Sequence, residues 1–338
     1  MGGDVVRIES SVTSVSWIPS EAISGIATRL PFDRGITHYD DPPPDVVTDL
    51  GELQRAGRFR FANELRGYVD VEDGRIVGCG QSGGGQICST TVALGSRTVV
   101  FQPVALPDLR PEPSVSDHEV TFRQTAGGRT GLPAPRRVRR APYVQFSAPL
   151  AWTSLSLTIR ADGTSSHEVT GASPFPRHWV YDHTGAVCEK SGLIDFSTWW
   201  RRAFGRHSPW GDRDSPALTT EVETALEREA SSLIMRGSAG RPEIRTVKAG
   251  TAILEQGTPG AELFLLLDGV ARIEVDGERL AECGPGSIHG ERAVIESGVR
   301  TATVRAVTDC KIAVVQGTDV DPAILTELSK GHRREESR

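Results

Sequence analysis

From residue 243 to 315 the chain is cut at short, regular intervals by glycine-bearing turn signals, and this punctuation limits the fold more than any other feature. Ala249-Gly250, Gly257-Thr-Pro-Gly260, Asp268-Gly269, Asp276-Gly277 and Gly284-Pro-Gly286 separate apolar segments at 243–247, 252–255, 263–267, 271–275, 278–281, 301–306 and 311–315. Each segment is too short for a stable helix and suits a strand. Short strands turning on glycine predict a β-roll or jelly roll. Helical patterns flank it. Thr220 and Glu223 are spaced as a capping box ahead of Val222, Leu226, Ala230, Leu233 and Ile234 at helical spacing, and Gly237 is placed to end that helix. Beyond the last strand Asp321 caps and Pro322 opens a final helix that Gly331 is placed to end.

The first part of the chain differs in composition. All six Trp and all four Tyr precede residue 212, after which Phe264 is the sole aromatic. The turn-rich run 207–216 marks a boundary, giving an aromatic-rich β domain at 1–211 and the roll with its helices at 212–338. A chain of 338 residues accommodates two cores at roughly 150 residues per domain. Residues 5–17 alternate apolar and polar side chains as a half-buried strand does. A helix is expected over 20–30, a loop over the prolines at 42–44, and strands at 58–65, 67–71, 75–79, 98–104, 119–123, 142–146, 154–160, 167–170 and 178–182. Asp73-Gly74 and Asp162-Gly163 predict tight hairpins, and a helix over 195–204 closes the region. The fold class is therefore mainly β, an antiparallel β-barrel or curved sheet followed by the roll.

Charge and cysteine content narrow the partners. A formal charge of -6 and a pI near 5.8 give no positive field for nucleic acid or an acidic membrane. No apolar run is long enough to span a bilayer, and the amino terminus has no signal-peptide pattern. Val6 stands where a myristoylation motif needs Ser or Thr. The five cysteines are odd in number and form no CxxC pair, as expected of free thiols in a cytoplasmic protein.

Three groups in the first region suggest chemistry weakly. Gly78-Cys-Gly-Gln-Ser-Gly83 has the spacing of a dinucleotide loop, but residues 84–92 make a poor helix start, so a glycine-rich hairpin loop is the expectation. His167, His178, His183 and His207 could meet at a metal, although His178 and His183 lie on opposite faces of any strand. Arg136-Arg-Val-Arg-Arg140 could grip a phosphate, with a solvated loop the plainer reading.

The second region carries the legible motif. The run 253–269, ILEQGTPGAELFLLLDG, with Gly290-Glu291 and then Arg300-Thr301-Ala302 after it, resembles the two signatures of the cyclic-nucleotide-binding family. The resemblance covers about residues 212–330, with Leu254 and His289 as mild departures. It implies a phosphate-binding cassette at Gly290, Glu291, Arg292, Ala293, Arg300 and Thr301, with cAMP or cGMP as ligand and no other cofactor. Residue chemistry points the same way. The Arg300 guanidinium offers a fork of donors to a cyclic phosphate. The Glu291 carboxylate, all acceptor, suits the ribose 2′-hydroxyl. A helical turn starting at Glu291 would aim N–H groups at the anion, and Gly290 and Ala293 are small enough for close approach. The plainer alternative is that Glu291 and Arg300 neutralise each other in a roll that has lost its ligand.

The resemblance implies a cytosolic signalling protein in which a cyclic nucleotide repacks the flanking helices on the first domain. Thr301 does not choose the base, and cAMP is preferred as the commoner bacterial ligand. The tail 329–338, with His332, Arg333 and Arg334, can lid the base. On the residues after the roll no winged helix is expected, and no kinase pseudosubstrate is expected ahead of it. A protein partner or a homodimer remains compatible, while an enzyme is the less favoured reading. The alternatives are a nucleotide-regulated enzyme or small-molecule-binding barrel in residues 1–211, or a scaffold with a non-binding roll. An Arg-rich, Lys-poor composition resembles uncharacterised actinobacterial-type proteins.

Overall fold

The computed structural model describes residues 4–23, 40–94, 97–129, 134–137, 144–147, 150–194, 219–236 and 242–335. The chain divides into two units: Met1–Pro19, Gly25–Gly192 and Ser197–Thr219 form one, and Ser20–Ser24, Leu193–Phe196 and Thr220–Arg338 form the other. The expected helix at 195–204 and most of that at 20–30 fall outside the described residues, with a 3-10 turn at Ser20–Ala22.

The first unit begins with β1 (Val6–Trp17), α1 (Leu50–Arg55), β2 (Phe61–Glu72) and β3 (Arg75–Ile87). Short strands come next: β4 (Thr90–Leu94) with β5 (Arg97–Phe101), then β6 (Val104–Ala105) and β7 (Ser114–Val115), both laid on β8 (Glu119–Arg129). After β9 (Ala134–Arg137) and its partner β10 (Val144–Ser147) come β11 (Leu150–Arg160), β12 (Ser165–Ala172), β13 (Arg177–Tyr181) and β14 (Val187–Ser191). The longer strands make two antiparallel sheets, β14-β13-β1-β2-β3 and β12-β11-β8-β6. They share one core, to which the first gives Val12, Leu65, Val69 and Val180 and the second Phe122, Leu155, Leu157 and Ile159. Core residues of one strand sit an even number of places apart because alternate side chains leave opposite faces. The two expected hairpins form: Asp73 and Gly74 both have positive φ, 50° and 74°, at the β2–β3 turn, and Gly163 (φ 92°) turns β11 into β12.

The glycine run from Gly78 to Gly83 is not the expected loop. It lies inside β3 and pairs with β2, Gly80 opposite Tyr68 and Gly83 opposite Leu65. A Cβ at Gly80 would stand 2.6 Å from the Tyr68 ring, so the missing side chain is what lets that ring lie across the sheet. The run does not turn into a helix, so no strand–turn–helix phosphate loop forms there.

The second unit contains α2 (Ala225–Arg236), β15 (Glu243–Val247), β16 (Ala252–Leu254), β17 (Glu262–Asp268), β18 (Ala271–Val275), β19 (Glu278–Cys283), β20 (Ile288–His289), β21 (Thr303–Ala306), β22 (Cys310–Gln316) and α3 (Pro322–Glu335). Two four-stranded sheets, β15-β22-β17-β20 and β16-β21-β18-β19, build the roll. Strand β17 is apolar along its middle because both faces are covered. Leu263, Leu265 and Leu267 pack with Ala230, Ile234, Leu325 and Leu328 of the two helices, whereas Phe264 and Leu266 pack with Val304, Ala306 and Ile312 between the sheets.

Both helix ends differ from expectation. The capping box sits four residues later than Thr220 and Glu223: the Thr224 hydroxyl accepts from the Glu227 N–H at 3.2 Å, and a Glu227 carboxylate oxygen accepts from the Thr224 N–H at 2.8 Å. α3 runs through Gly331 instead of ending there. A glycine weakens a helix but stops it only where the chain takes up a left-handed turn. Asp321 does cap this helix, its carboxylate accepting from the Ala323 N–H at 2.8 Å. Phe122, fully buried in the first core, is expected to cost about 3–5 kcal/mol when replaced by alanine, read as a lowered urea midpoint for that unit.

Candidate functional site

Arg300 is anchored by backbone on both sides. Its N–H donates to the Thr258 carbonyl at 2.8 Å, its carbonyl accepts from the Gly257 N–H at 2.8 Å, and the Gly260 N–H donates to the Gly298 carbonyl at 2.9 Å. The 257–260 turn is thereby tied to the segment that carries the guanidinium. Nη1 donates to the Glu262 carbonyl at 2.9 Å and the Gly290 carbonyl at 3.1 Å, and the group lies 5.4 Å from the centre of the Phe264 ring. The residue is 4% exposed. Burial pushes its pKa down and the nearby Glu262 and Glu291 oppose that, but a guanidinium stays cationic regardless.

Two glycines make this seat. Gly290 has φ 97°, and a Cβ there would meet Arg300 Nη1 at 2.5 Å and the Glu262 carbonyl at 2.8 Å; a Cβ at Gly260 would enter the guanidinium itself. From Gly290 the chain makes one helical turn at Glu291 and Arg292, widens into a π turn over Ala293–Ser297, and stops at Gly298 in the left-handed region (φ 69°), whose N–H returns to the Ala293 carbonyl at 2.8 Å. The expected short helix is thus present, and Ala293 is buried within it.

Glu291 and Arg300 do not neutralise each other. The Glu291 carboxylate, in a residue 4% exposed, is held by His332 Nδ1 at 2.8 Å. His332 Nε2 lies 3.6 Å from the Glu227 carboxylate. Glu227 is also buried, and its other oxygen caps α2. An imidazole facing a carboxylate with each nitrogen carries both protons. Burial alone would push His332 down, but bonds to Glu227 and Glu291 raise its pKa to about 10. Burial would raise both carboxylates, yet His332 holds Glu291 below its ordinary range and, with the Thr224 N–H, takes Glu227 to about 2. Behind them His289, fully desolvated and beside the His332 cation, is lowered to about 4. Its Nε2 lies 3.1 Å from the Ser287 hydroxyl and 3.3 Å from Cys283 Sγ.

The structure therefore gathers Gly290, Glu291, Ala293 and Arg300. Arg292 is half-buried on the helical turn and Thr301 is exposed. Sequence reasoning misses Glu227, whose signal is its spacing from Thr224. It makes His332 a lid for the base, whereas here the imidazole meets the acidic group of the cassette.

The weaker candidates disperse. His178 is fully buried and taken to about 4 by desolvation; its ring contacts the Ser16 hydroxyl at 2.6 Å and the Ser173 carbonyl at 2.9 Å. His167 faces Cys188 at 3.4 Å. His207 and residues 138–140 lie outside the described residues, and Arg136 and Arg137 belong to β9. Among the described residues no three His, Cys, Asp or Glu side chains gather as a metal would need. A groove of about 800 Å³ in the first unit is lined by Glu9, Glu64, Arg66, Tyr68 and His183 among others, and shares no residue with the cassette. No helix among the described residues is long and apolar enough to cross a membrane.

Residues 244–327 match the cyclic nucleotide-binding domain family. A cGMP-dependent protein kinase of Caenorhabditis elegans is 32% identical over 68 residues, 20% of this chain and 9% of the kinase. A cyclic nucleotide-gated potassium channel of Mesorhizobium japonicum is 36% identical over 75 residues, 22% of this chain and 21% of the channel. This chain thus spans less than a quarter of either relative. Among solved structures, the regulatory domain of Toxoplasma gondii PKA with cAMP aligns at 20% identity over 32% of this chain and 43% of that one, with a TM-score of 0.27. A cyclic nucleotide-binding domain from Methylobacillus flagellatus aligns at 19% identity over 34% and 73%, also at 0.27. The C-terminal region is a cyclic nucleotide-binding domain, and residues 1–243 lie outside the match.

The geometry carries two expected outcomes. Gly290→Val forces a β-branched residue to positive φ and into Arg300, so it is expected to lower the roll's melting temperature and abolish any nucleotide response. The second concerns pH. His332, raised from 6.5 to about 10, stabilises fully below 6.5 and loses that contribution as pH rises toward 10. His289, depressed to about 4, and Glu227, depressed to about 2, lose theirs as pH falls through those values from 6.5 and 4.5. Thermal melts of the roll should peak near pH 6.5, and His332→Gln should flatten the alkaline limb and weaken the acid limb as well, because the His332 cation also helps to lower Glu227 and His289.

Proposed function

We propose that this chain, whose C-terminal region is a cyclic nucleotide-binding domain, is a regulatory protein that binds a cyclic nucleotide, cAMP ahead of cGMP, and responds by repacking α2 and α3 on the roll. The observation that carries the proposal is the buried Arg300 cation, whose Nη1 is satisfied by two neutral carbonyls. A cyclic phosphate is the better acceptor for such a cation, since charge-assisted hydrogen bonds are about twice as strong as neutral ones. Glu291, acceptor-only when ionised, meets the ribose 2′-hydroxyl, and the cradle of Gly260 and Gly290 lets the ligand reach the backbone.

Repacking has a physical route. α2 and α3 cover the roll through Leu263, Leu265 and Leu267, and both are tied to the cassette through Glu227 and His332. A ligand that binds one helix arrangement better than the other shifts their balance by that difference and by no more.

Thermal denaturation with cAMP, cGMP and 5′-AMP tests this reading. At ~100 times its dissociation constant a cyclic nucleotide should add ~2.7 kcal/mol of stability, cAMP doing so at the lower concentration and 5′-AMP not at all. Arg300→Ala should remove the response. No shift with either cyclic nucleotide, or an equal shift in Arg300→Ala, would overturn the assignment.

A further inference from the structure

We propose that His332 sets the nucleotide affinity of this site: carried on α3, it occupies the Glu291 carboxylate that the ribose 2′-hydroxyl needs, so that the ligand and the closed α3 exclude each other. The inference rests on the proposed role of Glu291 as acceptor for that hydroxyl.

The geometry carries it. Glu291 Oε1 is 2.8 Å from His332 Nδ1, and the Glu291 side chain is 5% exposed. A carboxylate so covered cannot receive a ligand hydroxyl until something above it moves. The group above it is an imidazole on the last turns of α3, the final element among the described residues. The remaining contacts hold that imidazole in place. Glu227 on α2 faces its second nitrogen at 3.6 Å, and Glu227 is itself immobilised by the Thr224 N–H at 2.8 Å, the Thr224 hydroxyl at 3.0 Å and the Ile288 N–H at 3.4 Å. The titratable groups facing His332 are therefore Glu227 from α2, Glu291 from the cassette turn and His289 from β20, and the last of these is buried and neutral.

The bond to be displaced joins two charged groups and the bond that replaces it has only its acceptor charged, so exchange of His332 for a 2′-hydroxyl is unfavourable by itself. The ligand drives it through Arg300. Once displaced into water the imidazole returns toward its ordinary pKa and sheds its proton above that value, which links binding to pH.

A 2′-deoxy ligand separates this role from a merely structural one. The probes are cAMP and 2′-deoxyadenosine 3′,5′-cyclic monophosphate, titrated into the full chain by calorimetry at about pH 7 and about pH 9, both above the ordinary pKa of a freed imidazole and below that of the paired one. His332→Ala should bind cAMP about tenfold more tightly than the wild type, as expected on removing a competing hydrogen bond to a charged group, and bind the 2′-deoxy nucleotide unchanged. Wild-type affinity for cAMP should rise severalfold between the neutral and the alkaline titration, and that rise should vanish in His332→Ala. Should loss of the cation leave His332→Ala unfolded, Glu227→Gln keeps the imidazole and the cap but loosens its hold, and should shift cAMP affinity in the same direction by less. Weaker cAMP binding in these variants, or parallel shifts for the two nucleotides, would overturn the proposal while Arg300→Ala, unable to bind either, upheld the site itself. If the wild type bound neither nucleotide, both readings would fall together.

Discussion

One buried carboxylate, Glu227, ties together α2, β20 and α3 of the second unit. A charge removed from water is tolerated only when every lone pair facing the interior finds a donor. Glu227 meets that requirement from three elements at once: its own helix start through Thr224, strand β20 through the Ile288 N–H, and α3 through His332. Removing any donor leaves the charge short, so α2, β20 and α3 are coupled by electrostatics as well as by apolar packing. Glu291 adds the cassette to the same group through the other nitrogen of His332.

The apolar core makes that coupling possible. β17 carries an unbroken run of buried apolar residues from Leu263 to Leu267. Its odd-numbered side chains hold the helices and its even-numbered ones hold the opposite sheet. Arg300 rests against Phe264 on the even face, whereas His332 is delivered by a helix docked on the odd face. The Arg300 side chain and α3 therefore pack on opposite faces of one strand, because alternate side chains of a strand leave opposite faces.

The same division explains which features are legible in the sequence. Glycine punctuation and an all-apolar strand are local signals, so the sequence places most of the roll's strands close to where they stand. Gly290, Glu291 and Arg300 are legible because a backbone cradle, an acceptor and a cation each demand a particular residue type. The capping register is ambiguous because Thr220 with Glu223 and Thr224 with Glu227 satisfy the same spacing rule, and only tertiary burial of Glu227 decides between them. Gly331 reads as a helix stop for a similar reason: composition records that glycine permits a left-handed turn, and nothing local records that the chain declines it. In the first unit, the run Gly78 to Gly83 carries a turn composition into the middle of β3, where Gly80 leaves space for the ring of Tyr68 and Gly83 takes a positive φ beside the Glu64 carbonyl. Those demands are long-range and invisible from the run itself.

The pairing of His332 with Glu291 is the least legible contact and the most consequential. The two residues are 41 apart in sequence, and the contact exists only if α3 continues past Gly331. A helix that stopped at that glycine would leave His332 in the tail, where lidding the base is the natural expectation. Continuing one more turn places the imidazole against an acid instead, so the same residue changes from an aid to the ligand into its competitor. The sign of α3's effect on nucleotide affinity thus turns on a single helical turn, whose weakest position is a glycine costing roughly 1 kcal/mol relative to alanine.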